Sequence, residues 1–343
     1  MKAFALVAPG QFGPAEIPDE APPGPGEVVV HPAACGVCAS DVHYWQHGHI
    51  GDQVITEYPY VLGHECAGVV VEVGEGVRKV APGQRVAVEP GITCRRCRPC
   101  REGRENLCPN VLFLATPMYH GALRETILTR ERNVEPIPDS LSFEHAALCE
   151  PLGVGIHAAR LAGVAEGDVV AIFGAGPIGL STAVAARCRG AGRILIAEPV
   201  AERRALAEEM GFETVDIEAD PVERITETTD GGVDVAFEAA GDQRAMHWTT
   251  TAPRLGGRAC IIGIPAEDTV RLDIHRIRRA ETTLYNCRRS NRTLPEAVAM
   301  LAGPGADITR MCTHRFPVTE SERAFNLSSR RADGVIKAML MLD

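Results

Sequence analysis

Nothing in this 343-residue chain approaches the ~20 consecutive apolar residues that a membrane-crossing helix requires. An excess of positive charge is also missing. The formal net charge of -10 argues against a nucleic-acid surface and leaves an anionic membrane nothing to attract. The opening MKAFALVAPG holds one lysine and only a short apolar run before Pro9 and Gly10. It is too short for the apolar core of a secretory leader and reads as a first β-strand. There is no internal repeat and no low-complexity tract. Twelve cysteines without a leader are expected to be reduced thiols in a cytoplasmic protein. What remains is the composition of an ordinary globular protein, long enough for about two domains.

Two textures divide the chain. Up to about residue 150, short strands alternate with Gly and Pro turns: residues 27–31 (EVVVH), 67–73 (AGVVVEV) and 85–89 (RVAVE). Beyond Glu150-Pro151 the pattern becomes helix and strand in turn. Helices are expected at 155–163, 180–189 and 201–210, and strands at 169–173, 193–197, 233–237 and 258–262. This alternation predicts a parallel, doubly wound α/β sheet. A helix at 294–301 and a strand at 335–342 close the chain.

Cys94, Cys97, Cys100 and Cys108 stand in CRRCRPCREGRENLC, a C-x2-C-x2-C-x7-C spacing. One short loop can wrap a single ion with four thiolates, and four sulfurs around zinc leave no open position for chemistry. The expected role is therefore structural. Disulfides fit poorly with the scatter of the other cysteines. An Fe–S cluster is echoed only by the Cys108-Pro109 step.

Gly174, Gly176 and Gly179 form G-x-G-x-x-G between an apolar strand and a helix. The first glycine permits the turn, the second admits a pyrophosphate to the backbone, and the third lets helix and strand pack. Pro177 and Ile178 complete the turn, and free helix N–H groups meet the phosphates. Glu198 ends the next strand, where a carboxylate accepts bonds from ribose hydroxyls and repels a 2′-phosphate; NAD is expected rather than NADP. A solvated charge at a strand end is the plainer reading of Glu198. Arg203 is assigned to the adenine side, though with Arg204 beside it either reads equally as surface.

Cys38, His64 and Glu65 are competent zinc ligands from two separate stretches, CGVCASDVHYW and GHE. Spacing alone cannot join them, and a buried thiol, a satisfied histidine and a surface carboxylate are the ordinary alternatives.

In order along the chain, CGVCASDVHYW, VLGHE at 61–65, the four-cysteine loop, Glu150-Pro151-Leu152 and GAGPIGL resemble the zinc-dependent medium-chain alcohol dehydrogenases. SDVHYW and CEPLGVGIHA look like the sorbitol, or polyol, dehydrogenases among them, and the likeness runs to THRFP at 313–317. The resemblance implies a GroES-like β domain holding zinc over residues 1–152, completed by 290–343, and a Rossmann NAD-binding domain over 153–289. It implies that Cys38, rather than Cys35, ligates a catalytic zinc with His64 and Glu65. Glu150 lies beside that metal, either as a ligand or hydrogen-bonded to its water. Ser40 and His43 would relay the substrate's proton to solvent. Cys94, Cys97, Cys100 and Cys108 match the structural-zinc loop, making two zinc ions per chain.

Tyr44 matches an aromatic lining the polyol pocket. Arg289 fits the arginine of an Arg-Tyr pair in animal sorbitol dehydrogenases, but Ser290 replaces the tyrosine, which gives weight to acidic or shorter substrates. Ile262, Gly263, Ile264 and Arg289 are placed on the cofactor side. The implied activity is NAD-dependent oxidation of a polyol secondary alcohol to a ketose in a homotetramer or dimer. An L-threonine or sugar-acid (idonate-type) dehydrogenase of the same family is the alternative. A third reading, a dinucleotide-binding protein without catalysis, fits poorly with a complete set of Cys38, His64, Glu65, Glu150 and Ser40.

Overall fold

The computed structural model describes every residue except 218, 219, 266, 268, 304–306 and 343. Two compact units emerge: residues 1–150 with 294–343, and residues 151–293. Among the described residues no helix is long and apolar enough to cross a membrane.

The first unit is built on a seven-stranded sheet. Its path runs Val134–Pro136, Arg85–Val88, Glu65–Val73, Glu27–Gly36, Lys337–Met341 and Cys312–Pro317, with Ile127–Arg130 also pairing to Glu27–Gly36. Glu27–Gly36 lies at its centre. Val28, Val29 and Val30 are buried, and the strand runs on beyond the expected 27–31 because it pairs antiparallel with Glu65–Val73 over most of its length. The register slips between Val29 and Val30 and between Pro32 and Ala34, where the proline has no N–H to give. The end of this pairing sets Gly36 opposite Glu65. Leu6, Leu62, Leu123, Ile127, Phe325 and Leu340 fill the core around it.

The second unit is a six-stranded, wholly parallel sheet. Its spatial order is Glu213–Val215, Arg193–Ala197, Val169–Phe173, Val233–Glu238, Pro253–Ile261, Thr283–Asn286. The unit's first strand in sequence, Val169–Phe173, is thus central and the order reverses beside it, the doubly wound arrangement whose ligands bind at the carboxyl ends of the strands. Val169–Phe173 is buried on both faces, hence its unbroken apolar sequence. The preceding helix, Cys149–Leu161, starts earlier than the expected 155 and carries Glu150 in its first turn.

The Gly-rich turn follows Val169–Phe173. Gly174 has φ +114°, and a Cβ on Gly179 would stand 1.8 Å from the Gly174 carbonyl oxygen, so neither position tolerates a side chain without a backbone shift. Gly179→Ala is therefore expected to cost about 1–3 kcal/mol. Thermal unfolding should show a Tm lowered by several degrees; an unchanged Tm would mean that the turn has room to move.

Candidate metal and dinucleotide sites

The strand Glu27–Gly36 ends two residues before Cys38, which is the N-cap of helix Ala39–His47. His64 and Glu65 arrive at the start of the neighbouring strand, after a turn at Gly63 (φ +90°) where a Cβ would lie 2.7 Å from Cys35 Sγ. One donor atom each from Cys38, His64 and Glu65 lies within 4.8 Å of the others. His64 and Glu65 are buried, Cys38 is half-buried. Residues 26 positions apart in sequence thus converge because the sheet register sets them at adjacent strand ends.

Around this trio the polar partners are specific. His64 Nδ1 lies 3.2 Å from Asp41 Oδ1. A carboxylate only accepts, so Nδ1 carries the hydrogen and Nε2 is left for a ligand, the usual outer-shell arrangement of a metal-binding histidine. Asp41 Oδ1 also accepts from the Gly63 amide at 3.3 Å. Ser40 Oγ donates to Cys38 Sγ at 3.2 Å. His43 Nδ1 pairs with the His49 carbonyl at 3.0 Å. Among the described residues no hydrogen bond joins Ser40 directly to His43. Glu150 is buried but its oxygens do not lie within 4.8 Å of all three converging donors.

Sequence reasoning missed Lys337. Its Nζ donates to both oxygens of Glu65, at 2.7 Å each, and to the Val37 carbonyl at 3.1 Å. Both side chains are 2% exposed. A Cβ on Gly36 would sit 2.2 Å from Glu65 Oε2, so the carboxylate occupies the space that glycine leaves. The one available signal was a lysine heading the apolar strand Lys337–Met341; its partner, 272 residues away, was not predictable.

Electrostatics fit a divalent cation. With Cys38 as thiolate, Cys38, Asp41 and Glu65 present three negative charges against one on Lys337, and a dication would balance them in a medium that tolerates no net charge. Burial works against protonating His64, yet Asp41 and Cys38 outweigh it and hold the imidazole pKa well above its ordinary value. That proton is one a metal ion would displace. Burial, aided by Glu65 and Glu89, lifts Glu150 to about 7, against the lowering pull of His64 and Lys337.

The second metal-competent group is Cys94, Cys97, Cys100 and Cys108, again with donor atoms within 4.8 Å. Cys108 Sγ lies 3.5 Å from Cys94 Sγ and 3.8 Å from Cys97 Sγ. Zinc–sulfur bonds of about 2.3 Å put tetrahedral sulfurs about 3.8 Å apart. All twelve cysteines are free thiols, so no disulfide competes. Amide hydrogen bonds from Arg96 and Cys97 draw Cys94 down to about 6, while burial pushes Cys100 up to about 12.

In the second unit Gly176 caps helix Pro177–Cys188, with Pro177 at its first turn, Ile178 next to it, and free N–H groups ahead. Glu198 is buried. Its Oε2 accepts from the Ala175 amide at 2.7 Å and its Oε1 from the Val200 amide at 3.0 Å, so it braces the glycine turn as well as facing it. Arg203 Nη1 would stand 3.7 Å from a Cβ on Gly176, whereas Arg204 is turned to the Glu198 and Pro199 carbonyls.

Glu238, also missed, ends the next central strand fully buried. It accepts from Ala240 and Gly241 at 2.7 and 2.6 Å and from Gly263 at 3.0 Å. Burial raises its pKa against these amides. Ile262 and Gly263 are tied down by it, while Ile264 is exposed. Arg289 adopts φ +58° and Ser290 is buried, with its Cβ 3.3 Å from where a Gly153 Cβ would lie. Tyr44, in the first unit, is buried and its hydroxyl donates to Gln53 Oε1 at 3.1 Å.

A β unit presenting a Cys-His-Glu trio and a four-thiol loop, with a doubly wound unit carrying a phosphate turn, is the architecture of a metal-dependent, dinucleotide-linked oxidoreductase. Residues 24–139 match the family described as alcohol dehydrogenase GroES-like domain, and residues 177–303 match zinc-binding dehydrogenase. The chain belongs to this zinc-binding alcohol dehydrogenase family and is an oxidoreductase of its sorbitol dehydrogenase-like branch. It is 41% identical to the sorbitol dehydrogenase of Bacillus subtilis (strain 168), over 92% of this chain and 90% of that one. It is 36% identical to the L-idonate 5-dehydrogenase of Vitis vinifera, over 93% and 89%. The crystal structure of a zinc-binding dehydrogenase from Sinorhizobium meliloti 1021 bound to NADP superposes with a TM-score of 0.89 at 34% identity, over 99% of this chain and 98% of that one.

Removing the cation of a buried pair strands its anion, so Lys337→Met should destabilise the metal-free protein by about 3–5 kcal/mol in urea unfolding. A loss below about 1 kcal/mol would mean that water already reaches Glu65. Glu150 adds a pH effect. A buried acid raised to about 7 from an ordinary 4.5 contributes stability that is complete below the lower value and lost as pH rises through the upper. Metal-free Glu150→Gln protein should show a flatter decline of stability across that window than the parent; parallel curves would remove Glu150 from the account.

Proposed function

We propose that the protein oxidises a secondary alcohol of a polyol to the ketose, with zinc at Cys38, His64 and Glu65 and NAD at the glycine turn. The observation that carries this reading is the convergence of a thiol, an imidazole and a carboxylate inside a protein related to sorbitol dehydrogenases. When bound, the metal supplies Lewis-acid polarisation of the substrate hydroxyl, and the dinucleotide accepts the hydride. Glu65, oriented by Lys337, would serve as the third ligand, and Glu150, buried and sensing the charges of His64 and Glu65, would lie beside the metal. Ser40, whose hydroxyl already reaches Cys38 Sγ, accepts the substrate proton. His43 receives it on Nε2, since Nδ1 is held by the His49 carbonyl. Because no hydrogen bond joins Ser40 to His43 among the described residues, an intervening hydroxyl or water would complete the relay. Cys94, Cys97, Cys100 and Cys108 hold a second, structural zinc.

NAD rests on the Glu198 carboxylate at the end of the second strand, despite an NADP-bound relative. Arg203 beside Gly176 would face the pyrophosphate or adenosine side, and Ile262, Gly263, Ile264 and Arg289 complete the cofactor contacts. The substrate would meet Tyr44, Arg289 and Ser290. A sugar acid is the second reading, favoured by the idonate dehydrogenase relative and by Arg289 as a carboxylate partner. A panel of polyols, aldonates and threonine with NAD, followed by NADH absorbance, decides between them. Polyol turnover is expected, and turnover of aldonates alone would replace the first reading by the second.

Two variants separate the roles. His64→Ala should lose the catalytic zinc and all turnover, while Ser40→Ala should keep its zinc and slow turnover roughly 10²–10⁴-fold. Equal zinc loss in both would undo the assignment of ligand and relay. Glu198→Ala should raise the use of NADP relative to NAD; a wild type that already prefers NADP would contradict the carboxylate argument.

A further inference from the structure

Three histidines at the end of helix Ala39–His47 belong to no role described above except for His43. His43 and His47 are four residues apart on one helical face, with ring centroids 4.7 Å apart. Gly48, in the left-handed region at φ +73°, then turns the chain so that His49 comes back over the same face. Its ring lies 6.5 Å from His43 and 6.4 Å from His47. The short hairpin His49–Ile50 with Gln53–Val54, and the Ile55 amide on the Gly48 carbonyl at 2.8 Å, hold the turn in place. His43 is half-buried, and His47 and His49 are exposed.

We propose that His43, His47 and His49 form a separate site for a borderline divalent transition-metal ion such as zinc, nickel or copper, and that an ion bound there closes the proton exit. The His43 ring is already set for ligation. Its Nδ1 hydrogen is donated to the His49 carbonyl, so the neutral ring presents Nε2, and a backbone carbonyl on the other nitrogen is the support that metal-bound imidazoles use. Three nitrogens about 2.0–2.1 Å from one ion put tetrahedrally arranged ring centres roughly 5 Å apart. The His43–His47 rings meet that separation, but the three imidazoles do not bring their nitrogens within 4.8 Å of one another, so the exposed His47 and His49 side chains must rotate to close the site around an ion. All-imidazole ligation selects zinc, copper and nickel and leaves magnesium and calcium in water. Binding takes the one lone pair that His43 has for the substrate's proton; this second half rests on the relay proposed above.

The test uses tag-free enzyme holding two zinc ions per chain, dialysed free of excess zinc and then against micromolar nickel chloride, with nickel and zinc counted separately per chain. Wild type should bind one nickel without losing zinc, and His47→Gln or His49→Gln should weaken that binding by at least about tenfold. Neither residue belongs to the relay, so both variants should keep the parent's rate without nickel. Wild type that takes up no nickel, or variants that bind it as tightly as the parent, would overturn the site. Nickel should also slow alcohol oxidation by wild type and spare both variants. Stoichiometric nickel with an unchanged rate would keep the site and overturn the obstruction of the relay. Because the binding count needs no substrate, it stands apart from any failure of the polyol reading.

Discussion

The buried pair between Lys337 and Glu65 is the contact on which the first unit turns. Two opposite charges, each almost without solvent, lie at the meeting of the three central strands, with Gly36 bare of a side chain to admit them. Withdrawing both from water costs several kcal/mol per ion, and an apolar pair of the same volume would often be as stable. The pair is therefore poor evidence of a device for stability. Its sense lies in orientation: a carboxylate gripped through both oxygens cannot rotate away from Cys38 and His64. The same lysine also ties down the Val37 carbonyl, the backbone immediately before Cys38. One ammonium group thus fixes two of the three converging donors.

The two units prepare their ligands by different physics. In the first, side chains converge from strand ends and a helix start, so register and glycine clearances decide where sulfur, nitrogen and oxygen point. In the second, the backbone does the work, and acidic side chains hold it. Glu198 and Glu238 end strands on either side of the first strand, and each accepts amide hydrogens from the loop beyond it. Loops held by buried carboxylates keep their shape without a ligand, which lowers the ordering cost when one arrives.

Features whose cause is local were legible in the sequence. The four-cysteine loop closes within 15 residues, and the glycine turn lies between a strand and a helix that its own neighbours specify. The doubly wound sheet followed from alternation alone. Lys337, Asp41 and Glu238 were not legible, because each acquires its meaning from a pairing that the chain settles only in three dimensions. Asp41 looked like part of a motif and proves to be the partner of His64. The strand containing Cys35 was read too short for the same reason: Pro32 looks like a terminator, yet a register slip carries the pairing past it. The trio of Cys38, His64 and Glu65 fell between these cases, since residue types nominated it and only the sheet assembled it.

The first unit is interrupted in sequence, with its last strands contributed after the whole second unit. During synthesis, Glu65 and the other two donors leave the ribosome early, and the lysine that aligns the carboxylate follows only when nearly all of the chain has been made. Until then the half-built sheet has an open edge at Ala34–Gly36, where Met339–Met341 will pair, while Glu27–Val30 is already covered by Ile127–Arg130. The nascent protein must therefore carry an uncompensated acidic pocket and a partly unpaired strand end while the intervening residues fold. That interval, set by the order of the chain alone, is when this protein is most exposed to capturing the wrong ion or pairing with the wrong strand.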